Sequence, residues 1–385
     1  MKVALFYSKL DYGGIQRISI LLANALVQKG GLEVDMVLIR AEGDMLSMLS
    51  PKVRIIDLNC GERDRRARSY DLNFYLPRSS FVQYLKREKP DILLSLGEVC
   101  NRIAALVKVL YKMGFILIMS EHNTLGTVLK EHFGLCSRWG RKLLTRILYR
   151  VSDCCVCVSQ GVADDLVRLK AVPEEKIRVI YCPVIGNDFF QELKETVSHP
   201  WLEPGQWPVI VSFGRLVKQK ALDVLIKAFD YLRNTLGCKV RLMIIGVGPE
   251  KGFLEALVKS LGLESEVCFE GFVEHAFPYV ARSALMVLSS LYEGMPSALI
   301  EALACGTNVV STDCPSGPRE ILEGGKWGWL VPVGDVKALG QAMKEALYFP
   351  LPSEELKRRG AFFSVGKSVE EYYGLFNTLY QERRK

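Results

Sequence analysis

Short apolar runs alternate along the chain with longer segments in which apolar residues recur every three or four positions. The runs are typical of buried strands and the longer segments of amphipathic helices, for example at 16–29 and 221–236. The strand-like runs are 3–7, 34–39, 92–96, 116–120, 154–159, 209–213, 240–245, 267–269, 284–289 and 308–312. Because strands that alternate with helices form parallel sheets covered by helices, the pattern predicts an α/β fold with two doubly wound, Rossmann-like units.

Proline and glycine interrupt this alternation in the middle of the chain. The interrupting residues are Pro183, Gly186, Pro200, Pro204, Gly205 and Pro208. Such a segment is typical of a linker. We therefore predict a first domain at 1–182, a linker at 183–206 and a second domain at 207–365. Because doubly wound sheets bind ligands at the carboxyl ends of their strands, we expect the two domains to face each other across a cleft.

Two glutamates, Glu293 and Glu301, lie in the segment YEGMPSALIEALACG, which is otherwise almost entirely small or apolar. The fixed φ of Pro296 suits the first position of a helix, and Gly306 suits the residue that ends it. A helix that is apolar nearly all round is buried, and a buried carboxylate is costly without partners. Glu301 is therefore expected either to pair with a protein cation or hydroxyl, or to bind the polar part of a ligand.

Glycines and cations follow several predicted strands. Gly14 follows the first strand, and GRLVKQK, which contains Arg215 and Lys220, follows the first strand of the second half. Glycine at a helix start lets backbone N–H groups approach a phosphate, and the helix dipole favours the anion. Each loop alone is also explained by a tight turn or a solvated charge pair. Because all of these loops are expected on the carboxyl side of the sheets, together they favour an anion site.

Gly246-Val247-Gly248 leaves a second interpretation open, that of a nicotinamide dinucleotide site. Glu270 lies about twenty residues further on, as that fingerprint requires. The third glycine, Gly252, falls one position late. The alternative function is therefore a nicotinamide-dependent enzyme that uses the Gly246–Gly252 loop.

Composition narrows the class of protein. A chain of 385 residues with 49% hydrophobic and 24% charged residues is typical of a soluble globular protein. Residue 1 leads directly into the first strand, and no apolar stretch is long and uncharged enough to span a membrane, so we expect a cytoplasmic protein. The 11 cysteines favour a reducing compartment, and the C-x-x-C at 154–157 has no second pair at zinc-like spacing, so no metal site is expected.

Motifs in both halves resemble one known family. GRLVKQKALDVLIKAF, IIGVGPEKGFLEALVKSLGL, FEGF and SSLYEGMPSALIEALACGTNVVSTDC occur in this order. Together they resemble the donor domain of glycosyltransferase family 4, whose members have the GT-B fold, and Glu293 and Glu301 match its E-x7-E motif. YSKLDYGGIQR resembles the family's first N-terminal loop and MSEHNT the loop that supplies its histidine. The resemblance covers most of residues 1–350 and implies that 366–385 form a helix that crosses back to the first domain.

The resemblance implies a retaining, metal-independent transferase that needs no cofactor and takes a hexose or N-acetylhexosamine from a nucleotide sugar. A UDP-sugar is expected rather than a GDP-sugar. TDCPSGPREIL is most similar to members that assemble bacterial surface or lipid-linked oligosaccharides, so a lipid-linked saccharide acceptor is expected. The sequence contains no D-x-D, the motif of metal-dependent transferases of the other major fold.

The resemblance also implies site residues. The implied catalytic residues are His122, Arg215, Lys220 and Glu293, and the implied nucleotide-sugar-binding residues are Gly14, Arg215, Lys220, Gly294, Met295, Pro296, Ser297 and Glu301. Glu301 would hold the ribose and Glu293 would reach the sugar. The two cations would bind the diphosphate, and the loop amides would lie beside the diphosphate and the sugar. From the other domain, Gly14 would approach the diphosphate and His122 would touch the transferred sugar. Ala221 departs from the family, which often has glycine there.

The first half of the chain is basic. Residues 1–182 carry 28 Lys and Arg against 19 Asp and Glu, whereas 183–385 carry 22 against 24. The acid-free segment 132–152 contains the cations Arg138, Arg141, Lys142, Arg146 and Arg150 and the apolar stripe Trp139, Leu143, Leu144, Ile147 and Leu148. This helix either lies on an anionic membrane surface, so that the protein is peripheral, or packs its stripe into the domain.

A second basic cluster, Arg63–Arg68, is either a site for the pyrophosphate of a lipid-linked acceptor or a solvated loop. A non-catalytic protein that binds membrane or nucleic acid through the basic half is the remaining alternative. No nucleic-acid recognition motif accompanies the charge, so nucleic acid is not an expected partner. The joint presence of Arg215, Lys220, Glu293, Glu301 and His122 favours an enzyme.

Overall fold

The chain forms two compact α/β units. The structure, a computed structural model, describes residues 1–59, 79–132 and 135–384, without the side chains of 131, 132 and 135–138. One unit is Met1–Pro183 together with Val365–Lys385, and the other is Val184–Ser364. Each contains a parallel sheet with helices on it, so the predicted fold class of two Rossmann-like units is confirmed.

Among the described residues, seven parallel strands form the sheet of the N-terminal unit. They are β1 (Lys2–Tyr7), β2 (Glu33–Leu38), β3 (Arg54–Asp57), β4 (Ile92–Leu96), β5 (Ile116–Glu121), β6 (Cys154–Cys157) and β7 (Ile177–Val179), in the spatial order β3-β2-β1-β4-β5-β6-β7. The helices between them are α1 (Gly14–Gln28), α2 (Ser79–Glu88), α3 (Glu98–Leu110), α4 (Leu125–His132), α5 (Leu135–Tyr149) and α6 (Gln160–Arg168). The predicted cluster Arg63–Arg68 lies outside the described residues.

The C-terminal unit repeats the arrangement with six parallel strands. They are β8 (Val209–Phe213), β9 (Arg241–Ile245), β10 (Val267–Gly271), β11 (Leu285–Leu288), β12 (Asn308–Thr312) and β13 (Trp329–Val331), in the order β10-β9-β8-β11-β12-β13. The helices are α7 (Asn187–Glu192), α8 (Leu222–Asp230), α9 (Lys251–Ser260), α10 (Phe277–Arg282), α11 (Ser297–Cys305), α12 (Pro318–Ile321), α13 (Val336–Tyr348) and α14 (Ser353–Ala361). The last helix, α15 (Val365–Arg384), belongs to the N-terminal unit and packs on α1.

Buried apolar strands explain why the predicted elements form. Every residue of β4 and of β12 is buried, as expected where helices cover both faces of a parallel sheet.

The interval 183–206, which the sequence predicts to be a linker, belongs from residue 184 onwards to the C-terminal unit. Within it, α7 packs the fully buried ring of Phe189 on Phe277, with ring centroids 4.8 Å apart. In the described part of the chain, none of the helices is long and apolar enough to cross a bilayer.

Strand order places one position in each sheet where the winding reverses. The reversal lies between β1 and β4 in the N-terminal unit and between β8 and β11 in the C-terminal unit. The loops that leave two such neighbouring strands run in opposite directions and leave a crevice at the carboxyl edge. Arg215 and Lys220 follow β8, and Glu293 follows β11, so the C-terminal crevice collects predicted site residues.

Candidate functional site

An ion pair bridges the crevice of the C-terminal unit. Lys220 Nζ lies 2.7 Å from Glu293 Oε1, and the Ser290 hydroxyl donates to the same oxygen at 2.6 Å. Glu293 is only 7% exposed, so these two donors offset the cost of burying its carboxylate. Among the described residues, Glu293 Oε2 has no hydrogen-bond partner. One oxygen of the carboxylate is therefore held by the protein, and the other is available to a ligand hydroxyl.

Arg215 presents a second positive charge beside this pair. Its side chain is exposed and makes no hydrogen bond or ion pair with any residue that the structure describes. Arg215, Lys220 and Ser289 line the same small cavity, together with Gly214. The cavity thus offers one free cation and one cation that is partly neutralised by a carboxylate.

The backbone at Ala221 is left-handed, which accounts for the glycine that the family often has at this position. This residue has φ 45° and ψ 46°, a conformation that glycine adopts without strain and that alanine adopts only at a cost. Lys220 directly precedes it, and α8 begins at Leu222. The family's frequent glycine at this position therefore has a backbone reason, and the lysine keeps its place in the crevice.

The glycines of the Gly246-Val247-Gly248 loop serve packing between loops. A Cβ on Gly246 would lie 1.9 Å from the carbonyl oxygen of Gly214, and a Cβ on Gly248 would lie 2.3 Å from that of Leu216. The Leu216 N–H also donates to the carbonyl oxygen of Val247 at 2.9 Å. Close approach of the β8 and β9 loops thus accounts for both glycines without a dinucleotide.

Free backbone amides lie at the start of α11. This helix begins at Ser297, so Pro296 immediately precedes the helix and the prediction that it occupies the first helical position is wrong by one residue. Pro296 has ψ 103°, an extended value that lets the chain turn into the helix. The N–H groups of Gly294, Met295 and Ser297 donate to no residue that the structure describes. Three amides at a helix N-terminus form a ready anion site.

Glu301 lies in the second turn of α11 and is buried, as the sequence predicts. Every residue of this helix except Ser297 is buried. Gly306 has φ 80°, the left-handed value that ends a helix, so its predicted role is confirmed. The structure therefore places both glutamates on the segment that follows β11, Glu293 in the loop and Glu301 in the helix.

In the N-terminal unit, Gly14 is the first residue of α1, and His122 directly follows β5. His122 Nε2 lies 3.0 Å from the hydroxyl oxygen of Ser120. Burial lowers the pKa of His122 to about 4, because the charged imidazolium is poorly solvated. The ring is therefore neutral at neutral pH and acts as a hydrogen-bonding group.

A buried acid next to His122 escaped the sequence prediction. Glu121 Oε1 accepts the His122 backbone N–H at 3.1 Å, and Glu121 Oε2 accepts the Tyr149 hydroxyl at 2.5 Å. Burial raises the pKa of Glu121 to about 8, although these donors oppose the shift. The Glu-His pair at the end of an apolar strand was the available signal. Tyr149, 28 residues further on, could not be assigned to it without the fold.

Other groups with metal-binding side chains are explained without an ion. Burial raises the pKa of Cys154 to about 12, so this thiol of the C-x-x-C stays protonated. Ligand atoms of His199, Cys268 and Glu270 lie within 4.8 Å of one another. However, His199 Nδ1 accepts the Trp201 backbone N–H at 3.1 Å, so its proton is on Nε2, which faces Glu270 at 3.2 Å. A metal on Nε2 would require an imidazolate, whereas ligating histidines ordinarily donate from the other nitrogen.

Two family models match the chain. The model described as Glycosyltransferase Family 4 matches residues 12–185, and that described as Glycosyl transferases group 1 matches residues 194–361. The first covers the unit that holds Gly14 and His122, and the second covers the crevice with Lys220 and Glu293.

Curated relatives and solved structures match the chain over nearly its full length. The N-acetylgalactosamine-N,N'-diacetylbacillosaminyl-diphospho-undecaprenol 4-alpha-N-acetylgalactosaminyltransferase of Campylobacter jejuni is 27% identical over 95% of this chain and 94% of its own. The lipopolysaccharide core biosynthesis glycosyltransferase LpsE of Rhizobium meliloti is 27% identical over 96% of both chains. HepE of Anabaena, solved with UDP and glucose, superposes with a TM-score of 0.75 at 18% identity over 98% of this chain and 100% of its own.

Proposed function

Because the chain belongs to glycosyltransferase family 4, we propose that it transfers a hexose or N-acetylhexosamine from a UDP-sugar to a lipid-linked saccharide, with retention and without a metal. The observation that carries this proposal is that the loops after β8 and β11 bring to one crevice the cations Arg215 and Lys220, the free amides at the start of α11 and the buried carboxylate of Glu293, which Lys220 contacts. This set offers cations and N–H donors to a diphosphate and an acceptor to a sugar hydroxyl.

The chemistry needs positive charge where the diphosphate leaves. As the bond between the anomeric carbon and the diphosphate breaks, negative charge grows on the leaving oxygen. Arg215, Lys220 and the amides of Gly294 and Met295 would stabilise that charge more strongly in the transition state than in the ground state. These groups would take the place of the divalent cation that other transferases use.

Two carboxylates would orient the donor. Glu293 Oε2 would accept a hydroxyl of the sugar, while Lys220 and Ser290 fix the other oxygen. Glu301, in the second turn of α11, would accept the ribose hydroxyls. The neutral ring of His122 would hydrogen-bond the transferred sugar from the N-terminal unit.

The relatives support the choice of acceptor and stereochemistry. The Campylobacter jejuni relative is named for an acceptor on diphospho-undecaprenol and for an alpha product. Common UDP-hexoses are α-linked at the anomeric carbon, so an α product corresponds to retention. HepE was solved with UDP, which supports a uridine nucleotide.

A thermal-shift screen with UDP-, GDP- and ADP-sugars and with NAD, each measured with and without EDTA, tests the donor. A UDP-sugar is expected to stabilise the protein by about 2.7 kcal/mol at a hundred times its Kd, which raises Tm by several degrees. Stabilisation by NAD alone would favour the nicotinamide alternative. Stabilisation that EDTA abolishes would contradict metal independence.

The exposed face of α5 supports peripheral membrane binding. Trp139, Leu143 and Ile147 are 79%, 57% and 56% exposed and recur every four residues, so they share one helix face. Leu148, from the same predicted stripe, is buried in the unit, so the stripe divides between core and surface. Lys142 is nearby, and the segment contains no acid. An apolar face flanked by cations is complementary to an anionic lipid surface, and we propose that it docks there.

Sedimentation with liposomes tests this docking. The triple variant Trp139→Ser, Leu143→Ser, Ile147→Ser should lose binding to anionic liposomes by a hundredfold or more, since each buried apolar side chain contributes about 1.5–3 kcal/mol. Wild-type binding should weaken as salt rises, because lipid charge attracts the cations. The matched control, Tyr348→Ser with Phe349→Ser, removes equally exposed apolar groups from the other unit and should bind like wild type. Equal binding of the two variants would show that the α5 face does not dock.

A further inference from the structure

A loop outside the predicted site binds both backbone groups of Glu293. This loop, residues 313–317, connects β12 to α12. The Glu293 N–H donates to the carbonyl oxygen of Pro315 at 2.7 Å, and the Ser316 N–H donates to the carbonyl oxygen of Glu293 at 3.0 Å. The loop therefore binds both backbone polar groups of Glu293.

The side chain of Ser316 makes a third contact with the same stretch. Its hydroxyl donates to the carbonyl oxygen of Gly294 at 3.1 Å, and Ser316 is buried. Ser316 thus binds two successive carbonyl oxygens, that of Glu293 through its backbone and that of Gly294 through its side chain.

These contacts fix the directions of two backbone N–H groups that can bind an anion. A carbonyl and the N–H that follows it belong to one planar, trans peptide unit and point in opposite directions. Fixing the carbonyl of Glu293 therefore fixes the direction of the Gly294 N–H, and fixing the carbonyl of Gly294 fixes that of the Met295 N–H. These are two of the amides that donate to no residue that the structure describes.

Gly317 holds the loop close to the same stretch. Its φ is 94°, in the region that favours glycine. A Cβ there would lie 2.7 Å from Pro296 Cδ and 2.8 Å from the carbonyl oxygen of Gly294. Any larger residue would therefore push the two segments apart.

We propose that Ser316 is a positioning residue that directs the amides of Gly294 and Met295 toward the diphosphate, and that Gly317 gives it the close approach it needs. The proposal rests on the proposed function, because it assumes that those amides bind a nucleotide diphosphate. Ser316 acts through the peptide units that it holds and does not touch the ligand itself.

The variants Ser316→Thr and Ser316→Val form a matched pair, because they have nearly the same shape and only threonine keeps the hydroxyl. Calorimetry should show that UDP binds about tenfold or more weakly to Ser316→Val than to Ser316→Thr, while uridine binds both equally. The kcat/KM for the donor should fall by the same factor or more. A general loss of structure would weaken uridine and UDP alike.

Three results separate this inference from the proposed function. If the wild type does not bind UDP, the proposed function fails. If the wild type binds UDP but Ser316→Val equals Ser316→Thr in UDP affinity and in kcat/KM, the positioning role is overturned. If Ser316→Val loses uridine and UDP equally, the residue is structural and the inference is again overturned.

Gly317→Ala gives an independent test against Gly262→Ala. Gly262 also has positive φ, 67°, but a Cβ there would meet nothing within 4 Å. Both variants strain the backbone, yet only Gly317→Ala should lose UDP affinity by tenfold or more while keeping uridine binding. Equal UDP affinity of the two variants would contradict the role of Gly317. If Gly317→Ala does not fold, the Ser316 pair decides the question.

Discussion

Replacement of Lys220 by alanine is expected to lower kcat/KM for transfer by about a hundredfold or more. The variant loses a cation at the diphosphate, which is worth about 1.5–3 kcal/mol as a charge-assisted hydrogen bond. It also leaves the carboxylate of Glu293, only 7% exposed, without its 2.7 Å partner. Removing one member of a buried pair is costly because the remaining charge stays buried. Each 1.36 kcal/mol corresponds to a factor of ten in rate.

A double-mutant cycle separates the two losses. In a Glu293→Gln background the carboxylate charge is already absent, so Lys220→Ala should cost at least fivefold less than in the wild type. The matched control is Arg215→Ala in the same background, since Arg215 shares no hydrogen-bond or ion-pair partner with Glu293 among the described residues. The effects of Arg215→Ala and Glu293→Gln on the activation free energy should be additive within about 0.5 kcal/mol. Additive behaviour of Lys220 and Glu293 would contradict the coupling of their roles.

Ten strands were predictable from the sequence, including the edge strand β10, whereas three other short edge strands were not. All ten predicted runs correspond to strands, with small differences at their ends. The three that were missed are β3, β7 and β13. β3 and β7 are the edges of the first sheet, and β13 is an edge of the second. An edge strand has one neighbour, so it can remain partly exposed and lack a continuous apolar run, as Arg54–Asp57 does.

The residue types of the site were predictable, whereas their partners were not. Glycines and cations after strands indicated an anion site, and both family models confirm the family that the motifs suggest. Lys220 and Glu293 are 73 residues apart and meet because β8 lies beside β11. β9 and β10 intervene in sequence but lie on the other side of β8. The same strand order brings Ser316 to Gly294, and no local pattern encodes that order.

The first residue of α11 was also not fixed by the local sequence. Proline is compatible both with the first helical position and with the residue before it, because its φ suits either. The ψ angle decides between the two positions. At Pro296 it is 103°, an extended value, so Pro296 stands before the helix. The shift of one residue does not change the donors at the helix start, because the Ser297 N–H has no partner within the helix in either case.

Replacing Glu301 and Glu293 by glutamine is expected to change different kinetic constants. Glu301→Gln should raise the donor KM by about ten- to a hundredfold with little change in kcat. Its proposed contact with ribose is remote from the reacting bond and is similar in the ground and transition states. Glu293→Gln should lower kcat by a similar factor with little change in UDP affinity, because its free oxygen is proposed to bind the sugar, where charge changes as the bond breaks. Glutamine retains an oxygen for Lys220 and Ser290, so the loop should keep its shape.

Kinetics with varied donor, together with separate calorimetry with UDP, distinguishes these outcomes, because KM need not equal Kd. Glu255→Gln, an exposed replacement on α9, serves as the control and should match the wild type in both measurements. If Glu301→Gln binds UDP normally while Glu293→Gln loses it, the two roles are reversed. If both variants unfold at much lower urea concentrations than the control, the carboxylates are structural groups of this buried segment and not donor ligands.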